Sequence, residues 1–111
     1  MCLWTVDKTN GNQYIMQDDE FEWDDTKAAA NEREHHITFE MARAAFGDAF
    51  AISRVDRGHD DPEERYAWLG MVENRLLFVS YTLRGERIRI ISARKAEPHE
   101  RRQYHNENRQ V

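Results

Sequence analysis

Lys27, Asn31 and His35 recur every four residues, and on a helix they would form one polar stripe. Much later in the chain, Arg87, Arg89, Arg94 and Lys95 stand in RIRIISARK, whose alternating Arg and Ile mark a strand. Cations gathered on such elements can engage phosphate or carboxylate groups. The charge distribution makes them conspicuous. The chain carries a net charge of −5, yet residues 65–111 hold 10 Lys/Arg against 5 Asp/Glu while residues 1–64 hold 6 against 16. A basic half can form an electrostatic footprint for nucleic acid or for an acidic partner even in an acidic protein. A solvated surface gives the same count.

Successive strand residues point to opposite faces. Strict alternation therefore puts Ile88, Ile90, Ser92 and Arg94 on the core side and Arg87, Arg89, Ile91, Ala93 and Lys95 on the other. Arg87 and Arg89 are then solvent-side charges. Arg94 ends the core-facing row, where an unpaired cation would cost several kcal/mol. It must pair, with Glu100 or an acid of the first helix, or line a cleft. Other chemistry is poorly provided for. His35-His36 and His59-Asp60-Asp61 give no convincing ligand set on fixed elements, so no metal or other cofactor is expected. There is no Gly-rich phosphate loop and no nucleophile elbow. Cys2 is the single cysteine, which leaves no disulfide and no cysteine zinc site and fits a reducing cytoplasm.

The elements that must position these residues follow from periodicity and punctuation. With 111 residues, 40% hydrophobic and 33% charged, the chain suits one domain with a single core and an ionic surface. No run approaches the roughly 18 apolar residues of a membrane span, so no membrane association is expected. Residues 1–20 show no sustained period and contain Asn10-Gly11; they read as a flexible extension, with Met16 an alternative start. FEWD (21–24) is a short strand, and Asp24 suits the N-cap of a helix from Asp25 to about His36. Thr38 can cap a second helix, FEMARAAF (39–46), that Gly47 ends. Strands are expected at 49–56, RYAWLGMV, RLLFVSYTL and ERIRIISAR, the last three joined by tight hairpin turns, with a charged loop RGHDDPEE before them. Pro98 opens a closing helix behind Glu97, an imperfect cap, and 107–111 form a polar tail. The order β-α-α-β-β-β-β-α implies an α+β fold with an antiparallel sheet and helices on one face.

Three segments together resemble the BrnT family of bacterial toxins. They are W-D-x-x-K-x-x-x-N-x-x-x-H (Trp23, Asp24, Lys27, Asn31, His35), then RIRIISAR, and the closing E-R-x-x-Y (Glu100, Arg101, Tyr104). The resemblance spans 21–106. It implies a RelE-like, metal-independent endoribonuclease that cleaves RNA through its 2′-OH, inhibits translation and is neutralised by a BrnA-type antitoxin. That antitoxin is a ribbon-helix-helix protein, which would bring the toxin to operator DNA only indirectly. Such cleavage needs a base, an acid and phosphate-stabilising cations. On the resemblance, Arg94 serves the phosphate with Lys27 and Arg101 or Arg102. His35 or Glu100 is the base, and Tyr104 or a histidine the acid. Arg87, Arg89, Lys95, Arg101 and Arg102 are expected to contact RNA. The alternative is a decayed, non-catalytic toxin that serves as an antitoxin-binding module and co-repressor. Two departures from the family pattern are residues 1–20 and Glu97-Pro98, where many relatives carry Thr.

Overall fold

A computed structural model describes residues 3–6, 14–17, 20–56 and 63–108. Cys2, Asn10-Gly11, the loop residues 57–62 with His59-Asp60-Asp61, and 109–111 lie outside the described residues. In chain order the elements are β1 (Leu3–Val6), β2 (Tyr14–Gln17), β3 (Phe21–Asp24), α1 (Asp25–His35), α2 (Phe39–Ala45), β4 (Ile52–Asp56), β5 (Arg65–Val72), β6 (Arg75–Arg84), β7 (Arg87–Lys95) and α3 (Pro98–Glu107). From β3 onward this is the order expected. Strands β1 and β2 were not expected, because nothing in residues 1–20 alternates strongly enough to declare them.

The strands form one sheet ordered β1-β2-β3-β7-β6-β5-β4. It is mixed, which corrects the antiparallel expectation: β3 pairs parallel to β7, with Phe21 opposite Ile88 and Glu22 opposite Arg89. Hairpin reasoning fixes β5, β6 and β7 because their connections are short. It says nothing of β3, which reaches the sheet through a long crossover that includes α1 and α2.

Helices α1 and α2 cover one face. Phe21, Trp23, Ile37, Phe39, Ala42, Ala45, Leu77, Val79, Ile90 and Ala93 form the main core there. Phe46 stacks on Trp68 at 4.6 Å, and Trp23 meets Phe39 edge-on at 5.8 Å. The Trp68 indole N–H donates to the Ala45 carbonyl (2.9 Å). Helix α2 comes so close that a Cβ on Gly70 would sit 2.4 Å from the Ala45 oxygen, so only glycine fits there. Leu69, Leu76, Ala96 and Tyr104 form a second cluster with Ile52, Met71 and Phe78. These strand residues alternate with the first set, so α3 packs on the opposite face. The expectation of helices on one face only is corrected accordingly.

A β-bulge explains why. Ser80 pairs with Ser92 but Tyr81 pairs with Ile90, leaving Ile91 without a partner. One extra residue reverses the alternation beyond it. Ala93, not Ser92, therefore joins Ile90 in the main core, and Ser92 and Arg94 turn to the α3 face. The core-side assignment of Ser92 and Arg94 alongside Ile88 and Ile90 is corrected by this single insertion. Arg89 was also misread as solvent-side. It faces Glu22 across the parallel pair, and the two form an ion pair at 2.7 Å with side chains only 12% and 10% exposed.

Asn31 holds the bulged strand. It is the one buried residue of α1, and it does for Ala93 what a neighbouring strand would do. Its Oδ1 accepts from the Ala93 N–H (3.0 Å), and its Nδ2 donates to the Ala93 carbonyl (2.8 Å) and to the Ile37 carbonyl (2.9 Å). β3 cannot serve here, because at Asp24 the chain turns into α1, with the Asp24 carboxylate capping Thr26 and Lys27 N–H groups. Asn31→Ala would orphan three buried backbone groups, at about 1–3 kcal/mol for each unsatisfied group. The expected loss is about 3 kcal/mol or more, read in thermal unfolding as a fall of roughly 15 °C; an unchanged midpoint would contradict this role.

Candidate active site

The α3 face brings together three of the candidate residues, Arg94, Glu100 and Tyr104. Arg94, delivered there by the bulge, lies with its guanidinium carbon 4.2 Å from the Phe78 ring centre. Its Nη1 and Nη2 donate to Glu100 Oε1 (2.8 Å) and Oε2 (3.0 Å), a bidentate pair. Glu100 also accepts from the Glu97 N–H (2.8 Å), which closes the start of α3 behind Pro98. Burial alone would raise the Glu100 carboxyl. The Arg94 hydrogen bonds, the Glu97 N–H and nearby positive charge outweigh it and hold the group below the usual carboxylate range. Glu100 pushes Arg94 up in turn. The pair is therefore fully ionised at neutral pH. Arg94 keeps about a third of its side chain exposed while Glu100 is almost covered, so the cation can reach a solvent-borne anion and the carboxylate holds it in place.

Tyr104 lies one helical turn beyond Glu100, buried, with its hydroxyl donating to Asp48 Oδ2 at 2.6 Å. The same oxygen accepts from the Met71 N–H (2.8 Å), and Asp48 Oδ1 accepts from the Phe50 N–H (2.9 Å). One carboxylate thus ties α3, the C-terminal end of β5 and the loop after α2. Despite some burial, these donors hold the Asp48 carboxyl low. Burial and the Asp48 carboxylate push the Tyr104 hydroxyl up to about 12. Asp48 escaped sequence reasoning because nothing nearby in the chain marks it; only the fold brings residue 48 to residue 104.

The remaining candidates are placed apart from this cluster. Lys27 and His35 lie exposed on α1, which packs against β2, β3, β7 and α2. Neither has a contact with Arg94, Glu100 or Tyr104 among the described residues; His35 Nε2 lies 3.9 Å from Glu34. Asn31, between them, faces inward. Lys95, Arg101 and Arg102 are exposed beside the Arg94 pair in sequence, Arg87 is half-buried, and Arg89 is committed to Glu22. Two further residues of the α3 face were not singled out from sequence: Arg54 on β4 and His99 in the first turn of α3, which share a cleft with Glu100. Glu97, His99 and Glu100 bring ligand atoms within 4.8 Å of one another. Both Glu100 oxygens are bonded to a guanidinium there, and that adjacent positive charge opposes a metal ion.

Comparison with protein families now bears directly on this arrangement. The family model of the ribonuclease toxin BrnT of type II toxin–antitoxin systems matches residues 23–100. The chain belongs to that family. The matched segment runs from Trp23 through Asn31 and the bulged strand to Glu100; Arg101 and Tyr104 lie beyond it. A comparison with curated proteins finds no match.

The Tyr104 pair sets an alkaline limit. A hydroxyl whose ionisation is raised on folding contributes stability that is complete below its unfolded value near 10 and is lost as pH rises through about 12. Unfolding midpoints should therefore fall between pH 10 and 12 more steeply in the unsubstituted protein than in Tyr104→Phe. Tyrosinate absorbance should also show one late-titrating group that the variant lacks. Identical profiles would contradict the assignment.

Proposed function

We propose that the chain is a metal-independent endoribonuclease whose phosphate-binding group is Arg94. The observation that carries this reading is the Arg94–Glu100 pair: a guanidinium about a third exposed, fixed in orientation by a buried carboxylate and backed by an aromatic ring. A cation held so firmly loses little freedom when it meets the charge developing on a phosphate. Glu100 acts here mainly by orienting Arg94, since its oxygens are occupied and its carboxyl is acidified. Tyr104 anchors α3 through Asp48. Its raised ionisation makes it a weak acid, so its catalytic contribution is geometric.

Proton transfer to and from the ribose 2′-OH and the leaving 5′-oxygen falls to histidine, for which His99, in the cleft beside Glu100, is the candidate; His35, on the α1 face, lies apart from the Arg94 pair. Lys27, Lys95, Arg87, Arg101 and Arg102 extend the electrostatic field that guides RNA in. Salt should weaken the association accordingly. The sheet with its helix pair supports a RelE-like fold over residues 21–106, with 1–20 an extension and 107–111 a tail.

Membership in a type II family implies an antitoxin partner. We propose a BrnA-type ribbon-helix-helix protein whose acidic segment covers the cationic α3 face, the toxin reaching operator DNA only through it. No helix among the described residues is long and apolar enough to cross a membrane, and a cytoplasmic site of action suits an RNA substrate. The excess of positive charge in residues 65–111 also fits a second reading, an antitoxin-binding co-repressor without catalysis.

Induction of the chain without antitoxin distinguishes the two readings. The nuclease reading expects growth arrest and RNA cleavage that persists in chelator. Arg94→Ala should lower cleavage about 100-fold or more, in the range for loss of an oriented charge-stabilising donor, and Glu100→Gln by a smaller factor with folding retained. Intact RNA and normal growth with well-folded protein would favour the co-repressor.

A further inference from the structure

The sheet face that carries α3 presents its side chains in cross-strand rows. Ile52, Leu69, Phe78 and Arg94 stand opposite one another from β4 to β7, and α3 packs on this row. Two residues along each strand lies a second row, Arg54, Ala67, Ser80 and Ser92. Its three inner members are small. Between Leu69 and Phe78 on one side and Thr82 and Arg89 on the other, the face therefore sinks into a furrow that opens at Arg54 on the edge strand.

Ser80 is the anomaly of this row. It is 8% exposed and points away from the main core, into which Leu77 and Val79 project, yet its hydroxyl has no hydrogen-bond partner among the described residues. The other buried polar side chains are all satisfied: Glu22 by Arg89, Thr82 by the Glu64 carbonyl (2.7 Å), Asn31 by the Ala93 backbone, Glu100 by Arg94, and Asp24 by the N–H groups it caps. A buried hydroxyl without a partner costs stability. What it lacks is a polar atom from outside the chain. Arg54, at the open end, is exposed and likewise has no ion-pair or hydrogen-bond partner among the described residues.

We propose that the furrow carries the sugar–phosphate backbone of the RNA, from the phosphate at Arg94, past the hydroxyls of Ser80 and Ser92, to a further phosphate at Arg54. The proposal rests on the ribonuclease reading and adds the path of the bound strand. Neighbouring strands lie about 4.8 Å apart, which separates β4 from β7 by roughly 14 Å. At one phosphate per about 3.4 Å of stacked strand, more than one nucleotide spans that interval. Serine hydroxyls and arginines are ordinary donors to phosphate oxygens, and Ser80 and Ser92 donate to a phosphate between the two arginines. The small side chains of the row offer no ring on which a base could stack, so the furrow holds the backbone and not the sequence.

Binding of 2′-O-methyl RNA, which is not cut, tests the path on the full chain. A hexanucleotide should bind tighter than a dinucleotide, which is too short to reach from Arg94 to Arg54. For the hexanucleotide, Arg54→Gln should reduce the slope of log K against log salt by about 0.7, the value of one phosphate contact on a single strand; for the dinucleotide the slope should not move. Ser80→Ala should weaken the hexanucleotide about fivefold, the worth of one hydrogen bond, while the thermal midpoint holds or rises because no partner inside the fold is lost. A lower midpoint with unchanged RNA affinity would make the hydroxyl structural and overturn the path, as would slopes and affinities unmoved in both variants; cleavage of unmodified RNA in either case leaves the nuclease standing. The expected losses in a protein that cuts no RNA would uphold the path and overturn the nuclease. Hexaglutamate bound with the same losses, and RNA not at all, would give the furrow to an acidic peptide and overturn the proposal.

Discussion

The candidate site depends on what happens at one residue of one strand. Beyond the Ile91 bulge, β7 has lost β3 as a neighbour, and the Ala93 N–H and carbonyl point at an unfilled edge. A buried amide left there would favour slippage back into regular register. Asn31 prevents this by offering a donor and an acceptor in the spacing of a peptide group, from a helix that is otherwise nearly without apolar anchors. The same contact docks α1 and stabilises the register that turns Arg94 away from the main core.

From there the consequences are electrostatic. An arginine on the α1–α2 face would have to be buried among aromatic rings without a partner, a cost of several kcal/mol. On the α3 face it meets Glu100, whose other contact is the first N–H of the same helix system. α3 is in turn fixed at its middle by Tyr104 and Asp48 and near its end by the Asn108 amide, which donates to the Phe50 carbonyl (2.9 Å). Arg94 is thus positioned by a short helix tied at three points, in a protein whose net charge is negative but whose cations are gathered towards its C-terminal half.

Much of this was legible beforehand. The caps at Asp24 and Thr38, Pro98 at the start of α3 and the hairpins of β5 to β7 are local features, each signalled by residues within a few positions; Glu100 was one of the alternatives open for Arg94, beside an acid of the first helix or a cleft. What escaped is nonlocal. The parallel docking of β3, which buries the Glu22–Arg89 pair, depends on a crossover that no turn signal encodes. The bulge inserts one residue into an otherwise regular alternation, and RIRIISARK carries no glycine or proline to announce it. Asn31 read as part of an exposed stripe with Lys27 and His35, because four-residue spacing shows that residues share a face but not whether that face is buried. Asp48 and Arg54 became visible only once α3 and the sheet stood together.

The most direct test is to find which face of the sheet meets RNA. Titration with a 2′-O-methyl RNA oligonucleotide, which lacks the attacking hydroxyl and so binds without being cut, can be followed by NMR. The account predicts that signals of Phe78, His99 and the Arg94 guanidinium move together and saturate. Shifts confined to the α2 surface around Met41, Arg43 and Phe46, with Arg94 unmoved, would contradict it.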